Sequence, residues 1–199
     1  MIPVYLHGFN SAAKQHSPIV VALTQAFGPT IQVTYDSFAK YQEVQQQILS
    51  HLPENETFLL TGTSLGGFWA ATLGKLLNMP SVAFNPATNP EQQLRHHVGI
   101  RLTNFVTGFS NTLSNDTLES YRDKDLFSCV LKSMIRPLIL LDADDEVFSS
   151  NATYEMFRSF GNIYIYPGGS HRFQNIDAAI SRIKTYVQHV STTAFITSE

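Results

Sequence analysis

Six short apolar runs alternate with segments whose apolar residues recur at helical spacing: "IPVYL" (2–6), "TIQVTY" (30–35), "TFLLT" (57–61), "SVAFN" (81–85), "PLILL" (137–141) and "NIYIY" (162–166). That alternation constrains the fold more than any other feature of the chain. Runs this short and this continuously apolar suit strands buried on both faces, and strands joined through helices pair in parallel. The expected architecture is α/β: a compact, mostly parallel six-stranded sheet with helices on both faces and functional residues at the carboxyl ends of the strands. With 199 residues, 43% of them hydrophobic, the chain can fill one substantial core, so 1–199 is read as a single domain.

The helices between these runs carry their own signals. Ser17 as N-cap with Pro18 in the first turn starts one, and "GP" at 28–29 stops it. A second puts Tyr41, Val44, Ile48 and Leu52 on one face and leaves the glutamines at 45–47 to water. Leu65, Phe68, Trp69, Leu73, Leu76 and Leu77 mark a third, and Phe173, Ile176, Ile180, Ile183 and Val187 mark the last. One stretch, 88–128, breaks the rhythm, with about forty residues and no good strand. Asn89 with Pro90, and Ser114, are helix starts there, and the stretch is read as a small helical cap over the carboxyl edge of the sheet. The last ten residues are expected to fray.

Charge and composition narrow the function. A formal charge of −3, with no basic stripe, argues against nucleic acid as a partner. No window reaches membrane-spanning length, and "MIPVYLHGFN" lacks a basic segment followed by a long apolar run, so a soluble, cytoplasmic protein is expected. The single cysteine, Cys129, sits beside Val130 and Leu131 and reads as a buried thiol. Oligomeric state leaves no trace in the sequence.

"TGTSLGG" at 61–67 follows a predicted strand and opens a predicted helix. A serine on such a sharp turn presents its hydroxyl, and Gly62 and Gly66 remove side chains that would collide as strand and helix converge. Ser64 is therefore a candidate nucleophile, which needs a histidine to take its proton and an acid to orient that histidine. Of seven histidines, His171 in "PGGSHRF" stands in a Gly-rich loop between the last strand and the last helix, which brings it to the same edge. The acid belongs in the loop after "PLILL", where Asp142, Asp144, Asp145 and Glu146 compete. Asp145 is the choice and Asp142 the next, because the loop must travel beyond the strand, after which Val147 and Phe148 can anchor it in the core.

Two backbone N–H groups should hold an oxyanion: that of Leu65, directly after the serine, and that of Phe9 in the loop "HGFNS", braced by His7. Asn10, Phe68 and Phe148 are candidate substrate-binding residues. "RHH" at 95–97 raises a metal reading, but adjacent histidines on a helix point to different faces and no close acid or cysteine completes a set. Nor does "TGTSLGG" match a phosphate loop, because the Gly-Lys-Ser/Thr ending is absent. Neither a metal nor an organic cofactor is expected.

These residues resemble the α/β-hydrolase superfamily, and within it the small YqiA/YcfP-like bacterial esterases. The likeness covers nearly the whole chain: "YLHGFNS", "GTSLGG", "FNPATNP", "DDEVF" and "SHRFQNI". It implies a hydrolase sheet of strand order 2-1-3-4-5-6 and hydrolysis of a small-molecule carboxylic ester or thioester through an acyl-enzyme, with Ser64 as nucleophile, Asp145 as acid and His171 as base. The cap, 88–128, matches this family only loosely. The rival expectation is a non-catalytic binding or regulatory protein on the same fold, and peptide hydrolysis by the same three residues is a third.

Overall fold

The computed structural model describes residues 1–14 and 16–196. Six strands form one parallel sheet: β1 (Ile2–Leu6), β2 (Ile31–Val33), β3 (Phe58–Thr63), β4 (Ser81–Phe84), β7 (Leu138–Asp142) and β8 (Ile163–Tyr166). Their order is β2-β1-β3-β4-β7-β8, which is 2-1-3-4-5-6 when only these six are counted. The main helices are α1 (Pro18–Phe27), α2 (Tyr41–Ser50), α3 (Leu65–Leu77), α7 (Ser150–Phe157) and α8 (Ile176–Ile196). Among the described residues no helix is long and apolar enough to cross a membrane.

The central strands bury both faces, as their unbroken apolar composition requires. On β3, Leu60 turns into a cluster with Val44 and Ile48 of α2, Trp69 and Leu73 of α3, and Phe157 of α7. Leu59 turns the other way, joining Ile19 and Leu23 of α1 with Ile176, Ala179 and Ile183 of α8. Helix α3 has no polar face along its first turns: Leu65 to Ala71 are all buried, because the sheet lies on one side and the cap on the other. Leu76, placed by its spacing on the buried face, is instead exposed where the helix outruns that cover. Cys129 is buried as expected.

The insertion departs from expectation. It holds α4 (Pro90–Gln93), a 3-10 turn over Arg95–His97, an antiparallel hairpin of β5 (Arg101–Thr103) and β6 (Ser110–Thr112), α5 (Asn115–Glu119) and α6 (Leu126–Leu131). The cap is therefore mixed rather than helical. "RLT" and "SNT" bury almost nothing, so no apolar alternation announces them. The hairpin is set by its turn, in which the Asn104 carboxamide accepts from Val106 and Thr107 N–H and Gly108 takes a positive φ of 75°. Asn89, Ser114 and Asp125 cap α4, α5 and α6, each accepting an N–H three residues on.

Three further readings change. The run "TIQVTY" keeps only three residues in β2, an edge strand. Residues 190–196 lengthen the last helix beyond Val187, the last position marked by its spacing, while 197–199 lie outside the described residues. Val147 does not anchor the acid loop in the core, being 56% exposed.

Candidate active site

Ser64 occupies the one-residue gap between β3 and α3 at φ 58°, ψ −122°. Such a backbone is costly for a residue with a side chain and persists only where the surroundings over-determine it. Both ends of the serine main chain are held: its N–H donates to Phe84 O at 3.0 Å, and its carbonyl accepts from Gly67, Phe68 and Ala87 N–H at 3.0–3.1 Å. A Cβ on Gly62 would overlap the Gly66 carbonyl, so that glycine lets strand and helix converge. Gly66 serves a different neighbour from the one expected, since its Cβ would overlap the Leu6 carbonyl of β1. Gly67 faces Pro86, whose Cβ lies 3.1 Å from where a Gly67 Cβ would stand.

The loop after β1 reaches the serine from the other side, and a Cβ on Gly8 would lie 3.3 Å from Ser64 Cβ. His7 braces this loop. Its Nε2 accepts Tyr35 N–H at 3.2 Å, which leaves the proton on Nδ1 to donate to Gly8 O at 2.8 Å. Burial pushes the His7 pKa down, and its ring stacks on Tyr35 with centroids 4.2 Å apart. Among the described residues neither the Leu65 nor the Phe9 N–H has a hydrogen-bond acceptor.

His171 lies in the loop between β8 and α8, and the carboxylate that meets it is Asp145. His171 Nδ1 is 2.9 and 3.0 Å from the two Asp145 oxygens, and the Asp145 side chain is only 2% exposed. Burial pushes the Asp145 pKa up, but hydrogen bonds from His171 and from Phe148 and Val147 N–H outweigh it and hold the carboxyl below its usual value. Glu146 takes the His171 main-chain N–H at 2.9 Å, which lowers its own pKa. The Phe148 ring meets the imidazole edge-on at 4.9 Å. Among the described residues no hydrogen bond joins Ser64 Oγ to His171; such bonds commonly tighten only when substrate is bound.

Asp142, the next choice for the acid, has another position. It ends β7, fully buried, and its carboxylate accepts Gln174 N–H at 2.6 Å, Ser170 N–H at 3.2 Å and the Asn175 amide at 2.8 Å. It touches the chain on either side of His171 rather than the imidazole. Its buried carboxylate is satisfied by those donors, and Gly169 is glycine because a Cβ there would overlap it.

The three candidate binding residues separate. Phe148 stands at the site. Phe68 is a core residue, fully buried against Trp69 and Tyr121. Asn10, at φ 50°, is tied to the cap, where its amide donates to Thr103 O at 3.1 Å. "RHH" also corrects a reading. The His96 and His97 rings lie 3.8 Å apart instead of pointing to different faces, and His97 stacks on Phe9. Sequence reasoning weighed Glu146 only as the acid and not as an acceptor of the His171 main-chain N–H, and it passed over Arg172 as a partner of the cap, where its guanidinium covers the Phe105 ring at 5.1 Å.

A model of the family described as "Uncharacterised protein family (UPF0227)" matches residues 2–188. A UPF0227 protein from Serratia proteamaculans is 26% identical over 189 residues, covering 92% of this chain and 97% of the relative. UPF0227 protein YcfP from Escherichia coli O9:H4 matches at the same identity and coverage. Among solved structures, Est1E from Butyrivibrio proteoclasticus superposes with a TM-score of 0.73 at 14% identity, covering 96% of this chain and 88% of that one. Mouse alpha/beta hydrolase domain-containing protein 10 gives 0.69 at 13% identity, covering 94% and 90%. These likenesses establish an α/β-hydrolase fold.

Proposed function

Because this chain belongs to the UPF0227 family and has the fold of the α/β-hydrolases, we propose that it is a serine hydrolase of carboxylic esters or thioesters. The observation that carries the reading is a strained elbow serine after β3 together with a histidine-aspartate pair formed by the loops after β8 and β7. Ser64 Oγ attacks the acyl carbonyl carbon as His171 Nε2 takes its proton, and Asp145 stabilises the imidazolium. The oxyanion is received by the Phe9 and Leu65 N–H groups, which have no other acceptor among the described residues. The imidazolium returns its proton to the leaving alkoxide or thiolate, and an acyl-Ser64 ester remains. Water, deprotonated by His171, then attacks that ester, and the imidazolium returns the proton to Ser64 Oγ as the acid departs.

The substrate class rests on the neighbours. Est1E has been solved with ferulic acid bound, and other hydrolases of similar fold include the lipolytic enzymes LipS and LipT. An uncharged acyl group suits a site rimmed by Phe9 and Phe148. Wild-type protein is expected to turn over p-nitrophenyl butyrate and to take a fluorophosphonate label on Ser64. Ser64→Ala should lose both, leaving less than about 10⁻³ of the wild-type rate, with an unchanged melting curve. Full turnover by that variant would remove Ser64 as nucleophile. A panel of esters against matched thioesters, with Ser64→Ala as blank, separates the two leaving groups.

A further inference from the structure

The segment Phe84–Ala87, "FNPA", lies between the two halves of the candidate site and is bonded to both. Phe84 O accepts the Ser64 N–H at 3.0 Å, and Ala87 N–H donates to Ser64 O at 3.0 Å. Pro86, between them, presses on Gly67. The remaining member, Asn85, is 1% exposed and turns its side chain to the base loop. Its amide Nδ2 donates to Ser170 O at 2.8 Å and to His171 O at 3.2 Å. Its Oδ1 accepts the Asp142 N–H at 2.8 Å, and its own N–H donates to Leu140 O at 2.9 Å. We propose that Asn85 is a positioning residue that sets the separation between Ser64 and His171, an inference that rests on the hydrolase reading above.

The chemistry of the side chain supports this role. A carboxamide is the one group of this size that can donate two hydrogen bonds and accept another in a plane, and all three are used here. Asp142 completes the arrangement, holding the same loop through Ser170, Gln174 and Asn175. Asn85 also sits at a positive φ of 40°, a conformation asparagine tolerates better than most residues. The short main-chain path from Ser64 through Phe84 to Asn85 and on to His171 therefore passes through hydrogen bonds that are all buried or nearly so. An error of about 1 Å between nucleophile and base costs about 10²-fold in rate.

The experiment uses the full-length chain with p-nitrophenyl butyrate as substrate and a fluorophosphonate as label, at a temperature well below the melting point of each variant. Asn85→Ala is expected to lower kcat by about 10- to 100-fold with KM within about threefold, and to slow labelling of Ser64 by the same factor. A folded Asn85→Ala protein with kcat within about twofold of wild type, a loss confined to KM, or an unchanged labelling rate would overturn the proposal. If that variant does not fold, the isosteric Asn85→Asp decides. When protonated its carboxyl can still donate to Ser170 O, and when ionised it opposes two carbonyl oxygens. Its kcat relative to wild type should therefore recover as the pH falls from about 8 to about 5, and a flat ratio overturns the proposal. Wild-type protein that takes no label on Ser64 overturns the hydrolase reading itself; a labelled wild type with equally labelled Asn85 variants overturns this inference alone.

Discussion

Two aspartates three residues apart, Asp142 and Asp145, divide the work that one residue was expected to do. Asp145 meets the imidazole, while Asp142 is consumed by the main chain on either side of it. Asp145→Asn should lower kcat by about 10³- to 10⁴-fold, because an amide cannot stabilise the imidazolium. Since its carboxyl is held below the usual value, the stability it contributes is present above about pH 4 and is lost as the pH falls through the depressed value. The melting-temperature gap between wild type and Asp145→Asn should accordingly close below about pH 4, and a gap that persists unchanged into acid would sink this account. Asp142→Asn should act on stability first, losing about 2–4 kcal/mol in denaturant titrations, since its new NH₂ group would oppose N–H donors. The sharp turn at Ser64 and the pairing of His171 with Asp145 were legible in local pattern, because the turn glycines and the loop positions are encoded nearby in sequence. Asn85 was not, since its partners Asp142, Ser170 and His171 are 57, 85 and 86 residues away.

The cap is where element-level reading failed and where contact with the site is made. Phe105 and Phe109, 64% and 80% exposed, project from the hairpin of β5 and β6. One side of that hairpin is tied to the loop bearing Phe9, through the Asn10 bond to Thr103 O, and the other to the residue after the base, through Arg172 over Phe105. An exposed cation–π contact is worth about 0.5–1 kcal/mol. Phe105→Ala should therefore reduce hydrogen-exchange protection of the amides of 101–112 by about two- to fivefold, with α3 unaffected. Unchanged protection would show that Arg172 does not hold the hairpin. Of the helices, those started by Ser17, Asn89 and Ser114 or carrying an apolar stripe were readable one by one, whereas α6 and α7, capped by Asp125 and Ser149, were not read. The hairpin was not read either, because two strands of three residues with one apolar side chain, Leu102, between them carry no period and form only when their turn closes them.

Across the molecule, one sheet serves two cores, and adjacent residues of β3 enter opposite ones. Leu59→Ala and Leu60→Ala should each cost about 2–5 kcal/mol. Far-UV circular dichroism and Trp69 fluorescence should shift together in both variants, since the layers share their strands; a Trp69 transition unmoved by Leu59→Ala would show that the layers unfold separately. The six sheet strands, the two helical layers and the strand-end edge at which Ser64, Asp145 and His171 stand follow from the sequence by itself, whereas the strand order came with the resemblance to the α/β-hydrolases. Periodicity and strand connectivity are local or topological, and parallel strands joined through helices leave few arrangements. Tertiary structure alone decided the mixed cap, the assignment of Asp142 to the loop frame, and the place of "FNPA" between nucleophile and base. Each of these depends on hydrogen bonds between residues remote in the chain, whose partners exist only once the strands have been brought side by side.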